Sequence, residues 1–181
     1  MRNHGDVRPK YLLHGLPGHP IHPPLTDFTI GSYVFATIAG CLSAAGFASD
    51  ATAKAWWLGL IVALCWTVLT AATGLVDWLQ IEWRSPMWWT ATTHALANLT
   101  AGALFGVAAI LGYSPGWHGG AVTAGPLVLT LCGVGALFLG GWLGGTVVFV
   151  HGMRVLNLAE EPPQRAAAPV ATPEKEEASV I

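Results

Sequence analysis

Seven histidines stand in the 181-residue sequence, and four of them border long apolar runs: His19 and His22 in HPIHPP, His94 in HALAN, and His151 in VFVHG. Neutral imidazole is the ligand that haem iron and first-row transition metals share. An ionisable ring at the edge of an apolar stretch is costly unless it has a partner or a role. His22, His94 and His151 are therefore candidate ligands for haem b or a first-row transition metal. His19 ranks below His22, which lies closer to the first apolar run. His4, His14 and His118 sit in loops and read as solvent-facing.

The neighbours of these histidines carry their own chemistry. Asn98 is four residues after His94, so the two share a helix face that Gly102 and Phe105 continue. The alternative for His94 is a hydrogen bond that glues it to a neighbouring helix. Asp77 closes the second apolar run, where the negative end of a helix dipole disfavours a carboxylate. It wants a cation or an imidazole N–H, so it either forms an ion pair with Arg84 or Arg154 or orients a ligand histidine from behind. Gly140, Gly144, Val148 and His151 align on one helical face. Small residues at that spacing admit a neighbouring helix or a flat ligand. No serine–histidine–acid spacing, phosphate-binding loop or HExxH motif is present, so an electron-transfer or accessory protein is expected rather than an enzyme acting alone.

The elements that must position these residues follow from composition. The chain is 53% hydrophobic and 10% charged, whereas a soluble domain carries about a quarter charged residues. Between Phe28 and Ser49, Ala55 and Val76, Ala91 and Tyr113, and Leu127 and Val150 there is no Asp, Glu, Lys or Arg. Each stretch is long enough to cross the ~30 Å hydrocarbon layer as a helix. The runs are apolar on all faces, unlike the alternating segments of a membrane barrel. The expectation is all-α: a multi-pass, antiparallel four-helix transmembrane bundle over residues 23–155, with helices at about 26–49, 55–79, 89–113 and 127–151. A proline-broken arm, residues 1–22, precedes it. The tail over 156–181, rich in Pro, Ala and Glu, cannot build a core and is expected to be disordered. No internal repeat is visible beyond the helix count.

Seven basic residues, Arg2, Arg8, Lys10, Arg84, Arg154, Arg165 and Lys175, fall on the side of the termini, against Lys54 alone on the other. By the positive-inside rule both termini are cytoplasmic, in a cell (inner) membrane. In such a bundle His22, Asp77, His94, Asn98 and His151 all lie at the cytoplasmic end. Cys41, Cys65 and Cys132 are isolated in three separate runs and read as small apolar core residues. A net charge of -2 with scattered basic residues leaves no footprint for nucleic acid.

The motifs HPIHPPLTDFTIG, GLVDWL, HALANLTA and GWLGGTVVFVHGMRV, in this order over about residues 19–155, resemble the family called domain of unknown function 2231. That resemblance implies a four-helix membrane protein and carries over His19, His22, His94 and His151. Many members of the family have an acidic residue and a tyrosine where this chain has Thr146 and Phe149, and their association with iron–sulfur proteins points towards redox work.

The leading expectation is a redox or electron-transfer accessory, embedded in the lipid bilayer, as a homo-oligomer or complex subunit, serving an iron–sulfur or other redox protein. For haem, His22 and His94 are the preferred axial pair, because helices one and three are diagonal in a sequentially wound bundle. His151 would line the ring or replace His22, and for a bare metal all three would bind together. A structural or assembly subunit comes second, and a small ion or proton transporter third.

Overall fold

The computed structural model describes Gly15 and residues 20–154; His19, most of the arm and the tail over 156–181 lie outside the described residues. Five helices follow one another: α1 (His22–Ala44), α2 (Ser49–Trp78), α3 (Pro86–Leu111), the short α4 (Tyr113–His118) and α5 (Ala124–Phe149). All but α4 are long and apolar enough to cross a membrane, and no strand occurs among the described residues. The protein is a helical membrane bundle.

The long helices begin three to six residues before the expected starts, because residues outside the apolar runs open them. Pro23 and Pro24 occupy the first turn of α1, where their missing N–H costs nothing. Ser85 caps α3 by accepting the Trp88 N–H at 3.1 Å, with Pro86 following it. The α1–α2 link is short because Gly46 and Ala48 take left-handed backbone, φ 84° and 45°. Ser43 and Ser49 lock that reversal by each donating to the other's carbonyl, at 2.9 and 3.1 Å. Between α3 and α5, Tyr113–His118 form the short α4.

Small side chains bring the helices together, as membrane packing without a hydrophobic driving force requires. Ala36, Ala63, Ala101 and Ala108 are fully buried around Tyr33, Trp56, Leu60 and Phe105. Large apolar groups point outward instead: Ile110 is 74% exposed, Phe138 72% and Phe149 86%. Water would penalise this surface at roughly 25 cal/mol per Å², whereas lipid does not. Cys41, Cys65 and Cys132 also lie on the exposed surface, which corrects their assignment to the core. In helices apolar all round, no stripe marks which face turns inward.

The structure contains a repeat that the sequence hides. α1 packs mainly on α2, and α3 mainly on α5, while the two hairpins touch each other far less, through α2 with α3 and α1 with α5. Exchanging α1 with α3 and α2 with α5 maps this set of contacts onto itself. His22 and His94 are 72 residues apart, as are Tyr33 and Phe105, and Gly40 and Gly112; Thr70 and Gly140, like Gly74 and Gly144, are 70 apart. The Tyr33 and Phe105 rings stack on each other across the centre, with centroids 3.9 Å apart and planes at 13°. Gly40 and Gly112 both give way to the indole of Trp56. The bundle is thus two parallel hairpin repeats about an axis along the helices, a plan known among membrane proteins.

A histidine pair seated on glycines

Each hairpin builds the same seat for one histidine. In the first, His22 Nδ1 lies 3.1 Å from the Thr70 carbonyl and 3.1 Å from Thr73 Oγ1. Its ring lies over Gly74, where an added Cβ would fall 2.8 Å from Cε1. In the second, His94 Nδ1 lies 2.7 Å from the Gly140 carbonyl, and its ring lies over Gly144, where a Cβ would again fall 2.8 Å from Cε1. In both, the accepting carbonyl belongs to the residue four before the glycine, one turn up the same helix. Any side chain at 74 or 144 would displace the ring from its carbonyl.

This geometry sets the tautomer. A carbonyl oxygen only accepts, so each Nδ1 carries the proton, and a neutral imidazole then keeps its lone pair on Nε2. Thr73 Oγ1 donates to the Thr70 carbonyl at 2.9 Å, leaving its oxygen to accept from His22. Asn98 lies over Gly140 and donates to the His94 carbonyl at 2.8 Å. Its amide nitrogen lies 3.3 Å from His94 Nδ1 and 3.5 Å from Nε2, both longer than a good N–H hydrogen bond. Both histidines therefore have Nδ1 fixed and Nε2 available, an arrangement common among metal-ligating histidines.

The surroundings are charged on one side only. Asp77 pairs with Arg154, which selects Arg154 over Arg84 and meets the carboxylate's need at the negative end of α2. His22 opens α1, Asp77 lies at the end of α2, His94 is in the third turn of α3 and Arg154 follows α5, so these four groups share one end of the bundle. His151 stands apart: its Nε2 meets Thr90 Oγ1 at 3.0 Å, and it lines a cleft with Met87 and Met153. Gly140 and Gly144 do not form an open groove for a flat ligand, because Asn98 and His94 fill it. Among the described residues, no three His, Cys, Asp or Glu side chains are grouped as a metal ion would need.

Sequence reasoning missed Thr70, Thr73, Gly74 and Thr90. The signal for the first three was present in TAATG, whose glycine stands to His22 almost as Gly144 stands to His94, 52 and 50 residues on. At the same end Trp78, Trp83, Trp88 and Trp89 form a cluster around Trp88, with centroids 4.3 to 5.7 Å from it. Trp78 Nε1 ties α2 to α3 by donating to Thr92 at 2.9 Å. This is the aromatic belt of a membrane interface.

No curated protein and no solved structure matches the chain. One family model does, that of the predicted membrane proteins DUF2231, over residues 18–157. The match takes in all four spanning helices and both histidine seats, and the chain belongs to that family.

Proposed function

We propose that this protein is a membrane electron-transfer accessory in which His22 and His94 would hold one haem b between the two hairpins. The observation that carries the reading is the repeated seat: two imidazoles on diagonal helices, each with Nδ1 bound to a carbonyl and Nε2 left with its lone pair. Haem iron takes two ligands from the protein, because the porphyrin supplies the rest, and the two seats offer one Nε2 each. The sparse contact between hairpins favours a flat group entering there.

Bound haem would supply one-electron chemistry; the residues here hold the ring, fix both imidazole tautomers and keep the site in a low-dielectric shell. The axis argues against a transport path, since the Tyr33–Phe105 stack fills its centre and the fully buried Trp56 its far end. The distribution of basic residues favours a cytoplasmic haem end in the cell membrane, where an iron–sulfur or other redox protein would exchange electrons with it.

The test is absorption spectroscopy of protein purified in mild detergent, with haem and metal quantified. A Soret band that shifts on reduction is expected, lost in His22→Ala and in His94→Ala and retained in His151→Ala. Protein with neither chromophore nor stoichiometric metal, in which His94→Ala changes stability alone, would instead make the pair a helix lock in a structural subunit.

A further inference from the structure

A second set of soft ligands lies outside the histidine pair. A cleft of about 430 Å³ opens between the link after α2, the first turn of α3 and the turn after α5, and Met87, His151, Met153, Glu82 and Ile81 are among the residues that line it. The chain has three methionines, and two of them border this cleft. The fold makes the meeting possible: Gly152 takes a left-handed φ of 69°, and the Met153 N–H turns back to the Val147 carbonyl at 3.2 Å. That reversal brings Met153 to the side of α5 that faces the start of α3.

His151 is held there in a defined tautomer. Thr90 Oγ1 donates to the Pro86 carbonyl at 3.1 Å, so towards His151 Nε2, 3.0 Å away, it can only accept. Nε2 therefore carries the proton, and the lone pair sits on Nδ1, which has no hydrogen-bond partner among the described residues. This is the opposite tautomer to that of His22 and His94. The group that His151 offers its surroundings is a nitrogen donor, in a cleft bordered by two thioethers.

We infer that Met87, Met153 and His151 form a binding site for Cu(I). Thioether sulfur is a soft ligand that selects Cu(I) over harder divalent ions, and Cu(I) accepts a low coordination number that two sulfurs and one nitrogen satisfy. Both methionines are partly buried, and their unbranched side chains can adjust to close on an ion. The site shares no ligand with the proposed haem and does not depend on it.

The experiment titrates Cu(I) alone into the full-length protein in detergent, without oxygen, against a chromophoric Cu(I) chelator. One Cu(I) per chain is expected, and affinity should fall by about tenfold or more in Met87→Leu/Met153→Leu and, separately, in His151→Ala. The leucines nearly conserve volume, and an unchanged unfolding midpoint in the double variant excludes loss of fold as the cause. X-ray absorption should report sulfur around the copper in the parent protein but not in the double variant. No uptake, or equal affinity and persistent sulfur ligation in the double variant, would overturn the site; the latter would assign copper to the cysteines.

Discussion

Replacing Gly144 by alanine tests the seat without touching the histidine. The new Cβ would lie 2.8 Å from His94 Cε1 and 3.0 Å from Nδ1, closer than packed atoms tolerate. The ring must move, and its 2.7 Å hydrogen bond to the Gly140 carbonyl is lost or weakened. Overpacking of this kind costs about 1–3 kcal/mol, and a lost hydrogen bond about 0.5–1.5 kcal/mol. Alanine recovers up to about 1 kcal/mol of helix propensity. The net expectation is a destabilisation of about 2 kcal/mol. The neighbouring glycines are internal controls: a Cβ at Gly141 meets nothing within 4 Å, and one at Gly145 meets only Phe149 at 3.9 Å. Gly141→Ala and Gly145→Ala should be neutral or slightly stabilising. Unfolding of the three variants in mixed micelles measures the difference, and Gly74→Ala should reproduce the Gly144→Ala result beneath His22. If Gly144→Ala is as stable as Gly145→Ala, the ring is not held where the structure places it and the tautomer argument fails.

Three further outcomes follow from other parts of the bundle. Arg154→Ala should lower the unfolding midpoint more than Asp77→Asn, because it leaves the half-hidden carboxylate, 13% exposed, at the negative end of α2. Phe105→Ala should cost about 3–5 kcal/mol by removing a fully buried ring stacked on Tyr33, whereas Tyr33→Phe, which loses only the 2.8 Å bond to Thr67, should cost about 1 kcal/mol in the same assay. Impermeant thiol reagents added to intact cells should label a cysteine placed in the 114–120 segment and spare one in the tail beyond Asn157; the reverse pattern would invert the assigned orientation.

The number and order of the spanning helices and the gathering of polar groups at one end were legible because charge is excluded from the membrane interior; the charge-free runs mark the spans almost by themselves. His22 and His94 were legible for the same reason, as rings set where hydrocarbon makes them costly. The hairpin repeat was not. Over nineteen aligned positions from His22 and His94, the identities are the histidine itself, Ala36 with Ala108, Ile38 with Ile110, and Gly40 with Gly112, a likeness that any two apolar helices approach. Direction within the bundle was also illegible, which is why the cysteines were assigned to the core. His151 was grouped with the pair because it shares their end of the bundle, but height along an axis does not fix the angle around it. Gly140 and Gly144 announced a close approach without saying what approaches, and the answer is Asn98 and His94.

The repeat changes how the connection between hairpins should be understood. Each hairpin completes one histidine seat from its own two helices, and the hydrogen bonds that hold the two rings come from Thr70, Thr73 and Gly140, outside residues 79–85. Besides capping the His94 helix through Ser85, residues 79–85 join the two hairpins. A short link of this kind holds two modules at millimolar effective concentration, turning what would be an encounter of two half-proteins in the bilayer into an event within one chain. Severing it would leave both halves of the site intact and make their union depend on how many copies the membrane holds.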